Sequence, residues 1–307
     1  MHGKGQGLSM AKTIGVNLSE RIAVGLVIDH KLAGPVRRFP ENHDEDDALI
    51  ELHTEALVDK IAELAGMVAG GAKDIAAVGL ALPGLVKDGV VEESPNLPQL
   101  KGARMRDLLS AQLKARGIDA PVTVLNDADG MAAGLASAHG KLDSMIRVWT
   151  LGNGIGYGRY PFAPGPWEGG HTVVTLDEKE RYCGCGGHGH LEGIMGHRAM
   201  RLRFLDMEPE EVFAGAKKGD PRCVEFKRLW HRALAAATAT SIHMSGPSKV
   251  YLTGPNLHFL DITMLRLYMQ EMVKMSPLQS YSLEAVDDVP EMRVIGAAVT
   301  AEQAAGI

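Results

Sequence analysis

Cys183-Gly-Cys-Gly-Gly-His-Gly-His190-Leu-Glu192, with Glu168-Gly-Gly-His171 shortly before it, is the stretch on which the reading of this chain turns. Two thiols flank a single glycine, one imidazole follows five positions after the second thiol, and another lies twelve positions before the first. Sulfur and imidazole donors in a tight loop are what zinc prefers, and four protein ligands make a closed, tetrahedral, structural site. The expected ligands are His171, Cys183, Cys185 and His190, with His188 competing for the place of His190. Glycines at 184, 186, 187 and 189 let the backbone wrap an ion without steric conflict. The bland reading is a flexible loop with incidental Cys and His. Two thiols with histidines at 171, 188, 190 and 197 weigh against it. Cys223 sits apart in a helical stretch and reads as an inert buried thiol.

Working outward, 307 residues are too many for one compact core and suit two modest domains or one large α/β unit. Only 5% of residues are aromatic while 36 are Gly, which fits backbone-lined loops better than a stacking platform for nucleic acid. A net charge of −6 with no basic run argues against binding a phosphate backbone. Apolar runs such as Ile75–Leu82 are far too short to cross a bilayer, and the polar, Gly-rich start lacks a secretion-signal core. Residues 1–12 read as a disordered leader. Three cysteines outside any secretory context point to a reducing compartment, so the expectation is a cytoplasmic protein with neither nucleic acid nor membrane as partner.

Periodicity supplies the elements. Residues 13–18 and 22–28 are β-rich runs separated by Ser19, Glu20 and Arg21, a hairpin pattern. An acidic start at 44–47 leads into Leu49, Leu52, Leu57, Ile61, Leu64 and Val68 at helical spacing. Ile75–Leu82, stopped by Pro83-Gly84, reads as a strand buried on both faces. Residues 108–113, 132–138 and 229–239 read as helices; 122–125, 146–151 and 249–252 read as strands. Strands that end in glycine turns imply a parallel arrangement whose carboxyl ends carry the active groups.

Taken together, these segments resemble the ROK family, named for repressors, open reading frames and kinases. Residues 183–192 resemble its C-x-C-G-x-x-G-C-x-E signature, with His190 in place of the third cysteine, and Glu168-Gly-Gly-His171 resembles its E-x-G-H element. Ala81-Leu-Pro-Gly-Leu-Val86, Ser94-Pro-Asn96-Leu-Pro98, Asn126-Asp127-Ala128, Leu151-Gly-Asn-Gly-Ile-Gly156 and Ile295-Gly-Ala-Ala298 follow in family order. The resemblance spans the chain after residue 12. It implies the actin-like ATPase (ribonuclease H-like) sugar kinase fold, with two α/β domains about an interdomain cleft. A smaller domain would cover 13–124, with 292–307 returning to it, and a larger one 125–291 with the zinc loop.

The implied activity is glucokinase-like: phosphoryl transfer from ATP, with magnesium, to a hexose hydroxyl. Such chemistry needs a base for the hydroxyl proton and a clamp for the phosphoryl group. Asp127, just past a short strand, is the candidate catalytic base; its bland alternative is a helix N-cap. Asn96, Asn126, Glu168, His171 and Glu192 match the family's sugar-contacting residues, and amides and carboxylates suit a polyol. His171 would then serve both zinc and sugar through its two ring nitrogens. The glycine loop from Gly152 to Gly158, with Asn153, Gly154 and Gly156, is the candidate phosphate cradle, and Gly254 marks the adenosine-side turn.

Departures from the family concentrate in the nucleotide elements. Where its kinases carry D-x-G-x-T, this chain reads Asn17-Leu-Ser-Glu-Arg21, with an amide for the acid, no glycine, and Glu20 repelling phosphate. Asn153 stands where Thr is usual, and Pro255 removes a donor beside Gly254. The alternative is therefore a homologue that binds a sugar ligand, as sensor or as another enzyme, without using nucleotide. The family's repressors are disfavoured, since about a dozen residues before the first strand are too few for a helix-turn-helix module. Family members commonly form homodimers or homotetramers.

Overall fold

The computed structural model describes residues 11–42, 48–72, 74–163, 165 and 167–307. The expected leader lies outside them up to position 10, as does the acidic helix start at 44–47. The described chain packs as two compact units. One combines the residues up to Leu142 with those of Phe162–Pro166 and Val289–Ile307; the other combines Asp143–Pro161 with Trp167–Asp288.

In the first unit, β1 (Lys12–Leu18) and β2 (Ile22–Ile28) form the expected hairpin, with Leu18 opposite Ile22. After two short strands, β3 (Lys31–Leu32) and β4 (Arg37–Phe39), the chain enters α1 (Thr54–Ala69). This helix starts later than the periodicity suggests. Leu49 is buried, but its carbonyl accepts from Gln99 Nε2 at 2.7 Å and from Leu52 N at 3.3 Å, so the segment closes as a turn. Strand β5 (Ile75–Leu82) runs parallel to β1, the hairpin β6 (Leu85–Lys87) and β7 (Val90–Glu93) follows, and α2 (Met105–Ala115) leads to β8 (Val122–Asn126), parallel to β5. The sheet order is β3-β2-β1-β5-β8, with β4 also on β2.

Alternation along β1 and β5 explains the two layers that cover this sheet. Ile14, Val16, Leu18, Val78, Leu80 and Leu82 join Leu57, Ile61, Leu109 and Leu113 of α1 and α2 in one core. Between them stand Gly15 and Gly79, where a Cβ would lie 1.9 Å from Val294 O and 1.9 Å from Ala297 O. The C-terminal helix Pro290–Ala305 therefore rests backbone-on-backbone against the sheet. Helix α3 (Asp127–Ala138) meets that helix equally closely: a Cβ on Gly134 would lie 2.0 Å from Met292 O.

The second unit carries a four-stranded sheet in the order β10-β9-β11-β12. Strands β9 (Ile146–Leu151) and β10 (Ile155–Tyr160) form a hairpin, and β11 (Lys249–Thr253) lies parallel to β9 and to β12 (Ser282–Ala285). Five helices pack with it: α4 (Leu191–Met195), α5 (His197–Arg203), α6 (Pro209–Lys218), α7 (Pro221–Ser245) and α8 (Ile262–Met272). The long α7 begins with Pro221 and is capped by Asp220, whose Oδ1 accepts from Cys223 N at 2.9 Å. Trp230 is fully buried, Phe213 stacks on Phe259 at 4.3 Å, and the Cys223 thiol is buried, with burial raising its pKa. No helix among the described residues is long and apolar enough to cross a membrane.

His231 locks α7 to α8. Its Nδ1 donates to Lys227 O at 2.7 Å and its Nε2 accepts from Asp261 N at 2.8 Å, so the ring is used in its neutral form. Burial pulls it down from 6.5 to about 4. A folded-state value below the unfolded one means full stabilisation above pH 6.5, loss as pH falls towards 4, and no further loss below that.

Two outcomes follow from this packing. Gly134→Ala should gain about 1 kcal/mol from helix propensity alone, yet the clash with Met292 O predicts a net loss of about 1–3 kcal/mol in denaturant unfolding. Between pH 7.5 and 4.5 the second unit should lose ~3 kcal/mol through His231, and His231→Gln should flatten that slope; an unchanged slope would refute the assignment.

Candidate functional site

The metal segment is built by pairing its two ends. Val174 N donates to Gly189 O at 2.8 Å, Leu191 N donates to Thr172 O at 3.0 Å, and Val173 faces His190 in an antiparallel bridge. His171 closes the short 3-10 turn Gly169–His171, and His190 is the residue from which α4 starts. Gly193 of α4 lies where a Cβ would come within 2.9 Å of Cys183 N, so the helix presses directly on the first thiol's backbone. The loop cannot open without moving α4, which α7 holds through Trp230 Nε1 to Met195 O at 3.3 Å.

Four donor atoms converge there: the Nδ1 atoms of His171 and His190 and the sulfurs of Cys183 and Cys185, all within 4.8 Å of one another. Cys183 and Cys185 sulfurs are 3.4 Å apart, His171 Nδ1 is 3.2 Å from Cys185 and 3.6 Å from Cys183, and His190 Nδ1 is 3.3 Å from Cys185 and 3.4 Å from His171 Nδ1. A tetrahedral ion at zinc's usual bond lengths to sulfur and nitrogen demands edges of about 3.3–3.8 Å. Five of the six donor separations, at 3.2–3.6 Å, lie in or next to that range. His190 rather than His188 completes the group; His188 is exposed and outside it. Burial, reinforced by Cys185 and Glu192, pushes the Cys183 thiol up to about 12, and burial with the neighbouring His171 pulls His190 down. A divalent cation reverses the first effect and favours the neutral imidazoles that the second provides.

The other nitrogen of His171 points away from the cluster. Its Nε2 lies 3.9 Å from Glu168 Oε2, so ring and carboxylate face the same space. Glu192 reaches both ways: Oε1 is 3.8 Å from Cys183 Sγ, while Oε2 accepts from Ile155 N at 2.9 Å at the start of β10. Glu192 thus joins the donor cluster to the glycine turn, and Glu168 lies beside the outer nitrogen of His171.

That turn is shorter than the sequence suggests. Gly152, Asn153 and Gly154 connect β9 to β10, whereas Gly156 lies in the ladder opposite Thr150 and does not belong to a loop. Gly152 N is spent on Gly154 O at 3.0 Å and Ile155 N on Glu192. Gly254, at φ 107°, packs where a Cβ would lie 2.5 Å from Leu151 O, and Asn256 Nδ2 donates to Gly152 O at 2.8 Å. The two predicted nucleotide turns therefore pack together in the second unit.

The first unit holds Asn96, Asn126 and Asp127. Asn126, not Asp127, caps α3: its Oδ1 accepts from Ala128 N at 2.8 Å and its Nδ2 donates to Gly84 O at 2.9 Å. Asp127 is half-buried in the first turn of α3. The Pro83-Gly84 turn is also tied by Ser94 Oγ donating to Pro83 O at 2.9 Å, two residues before the exposed Asn96. In the β1–β2 turn, Ser19 N is consumed by Arg21 O at 3.2 Å and Arg21 clasps the carbonyls of Pro40 and Glu41. Asn17 Nδ2 bonds Ser19 Oγ at 3.2 Å while its buried Oδ1 has no partner. This turn does not fit a phosphate cradle.

Sequence reading missed Glu180, Arg203 and the Gly84 carbonyl. The first two form a buried ion pair across 23 positions, with no periodic signal to reveal it; the third is a backbone atom.

Residues 48–304 match the ROK family across most of the chain's length, and the protein belongs to that family. It is a sugar-kinase homologue with the actin-like fold. Glucokinase of Pyrobaculum calidifontis is 31% identical over 210 residues, 64% of this chain and 68% of that one. An N-acetyl-D-glucosamine kinase of Escherichia coli O127:H6 is 26% identical over 267 residues, 79% and 83% of the two chains. The ROK hexokinase structure from Thermus thermophilus superposes with a TM-score of 0.76 at 23% identity, covering 96% of this chain and 99% of that one.

Cobalt(II) added to metal-free protein should give the intense visible absorption of a tetrahedral sulfur–nitrogen site. Cys185→Ser should abolish that spectrum and weaken metal binding beyond the roughly 10–100-fold of an outer-shell change. A weak octahedral spectrum would refute the geometry.

Proposed function

We propose that this protein is a glucokinase-like hexose kinase in which Asp127 takes the proton of the acceptor hydroxyl and a structural zinc, on His171, Cys183, Cys185 and His190, shapes the sugar site. The observation that carries the reading is the division of labour at the start of α3. Asn126 supplies the cap, so the Asp127 carboxylate next to it is not needed for that task. The helix N-terminus also favours the ionised carboxylate that a base requires.

Asn96, Asn126, Glu168, His171 and Glu192 would bind the sugar hydroxyls. His171 is the link between metal and ligand: with Nδ1 committed to zinc, its Nε2 carries the hydrogen and can donate to a hydroxyl while Glu168 accepts. ATP with magnesium supplies the phosphoryl group when bound. Gly152, Asn153, Gly154 and Gly254 are this chain's residues for its phosphate and adenosine sides. Gly156, expected in the same cradle, is paired in the ladder opposite Thr150.

A second reading is favoured by one specific observation. The β1–β2 turn lacks glycine, spends Ser19 N internally and presents Asn17 in place of an acid. A neutral amide oxygen is a weaker partner for magnesium than a carboxylate. On this reading the chain binds a sugar and uses nucleotide poorly or not at all.

ADP release measured over a hexose panel separates the two. The kinase reading expects turnover that Asp127→Asn lowers by roughly 100-fold or more, with sugar affinity little changed. Sugar binding is read independently through Trp167, which is 44% exposed beside Glu168 while Trp149 and Trp230 are buried. A saturable, Trp167-dependent fluorescence change without nucleotide binding or turnover would sink the kinase and leave the sugar-binding reading.

A further inference from the structure

Glu180 and Arg203 form a two-pronged ion pair: Arg203 Nη1 donates to Glu180 Oε1 at 2.9 Å, and Nη2 donates to Oε2. The side chains are only 10% and 15% exposed, so both charges are largely desolvated. Exposed pairs contribute little, and a buried pair offsets its desolvation only where the geometry is good and the hydrogen bonds are made. The guanidinium is further fixed by stacking over the Tyr182 ring at 4.4 Å and near Phe226 of α7 at 5.4 Å. Neither residue belongs to the donor cluster.

Their place in the chain gives the pair a task. Glu180 O accepts from Gly189 N at 2.8 Å, closing a ring of backbone that contains Cys183 and Cys185 and ends beside His190. One side of that ring is pressed by Gly193 of α4 on Cys183. The other side is held to the end of α5 by Arg203. We propose that Glu180 and Arg203 are positioning residues for the metal loop, keeping its neck closed so that both thiols and His190 are collected before an ion arrives. This inference rests on the reading of the cluster as a zinc site. Loss of the clamp leaves every ligand present but requires the ion to order the loop, which weakens binding and speeds release.

Zinc affinity by chelator competition, together with the melting temperature of the metal-free protein, tests this on the full chain. Arg203→Lys keeps the charge and loses the fork; Glu180→Gln keeps the shape and loses the charge. Each is expected to raise the zinc Kd by about tenfold or more. The apolar double variant Glu180→Leu with Arg203→Met should melt close to the parent protein yet show the same affinity loss. A zinc Kd within twofold of the parent protein in any folded variant overturns the clamp. Should the parent protein itself take up no zinc, the zinc reading fails instead.

Discussion

Two sulfurs and two imidazole nitrogens held within 4.8 Å of one another form the constraint around which the second unit is arranged. Two thiolates 3.4 Å apart repel each other strongly in a partly buried site, so the arrangement is tolerable only protonated or around a cation. Everything nearby serves to keep the donors at that separation. The paired ends of the loop, the pressure of α4 on Cys183 and the Glu192 bridge to β10 all converge on it. His171 then exports the constraint, because fixing one ring nitrogen fixes where the other points.

In the first unit the equivalent constraint is steric. Gly15 and Gly79 of the sheet and Gly134 of α3 let the C-terminal helix approach at backbone-contact distance, and no side chain could be accommodated there. This anchors α3 against its neighbours. The Asn126 cap, tied to Gly84, then sets the height of the first turn, where Asp127 sits. A carboxylate held this way is placed by rigid elements rather than by a loop, which suits a base that must meet a hydroxyl in fixed geometry. The β1–β2 turn shows the opposite tendency. Ser19 N is taken by Arg21 O and the Arg21 side chain by the Pro40 and Glu41 carbonyls, which leaves the hairpin that the sequence predicts, with a turn that departs from the family's phosphate loop.

Much of the molecule was legible in advance because the relevant signals are local. The β1–β2 hairpin, the doubly buried β5 and the long apolar course of α7 follow from spacing and turn residues alone. The donor set could be narrowed to five residues by ligand chemistry and glycine content. What failed to be legible was decided by partners distant in sequence. Leu49 and Leu52 continue the helical spacing of α1, yet Gln99 captures the Leu49 carbonyl and the helix begins only at Thr54. Gly156 sits within a glycine-rich run but belongs to a ladder, because β9 supplies a partner for it.

The amino-acid sequence by itself determined the strands β1, β2, β5, β8, β9 and β11, the middle of α1, α2, α3 and α7, the family signatures and the kinds of atom available for metal and sugar. These are properties of residue type and short-range spacing. Only the tertiary structure decided that His190 and not His188 joins the cluster, that Asn126 and not Asp127 caps α3, and that Glu180 meets Arg203. Each of these depends on where a backbone trace places atoms to within a fraction of an ångström. Neighbouring positions of the same chemical type are distinguished by direction, which composition and spacing do not encode.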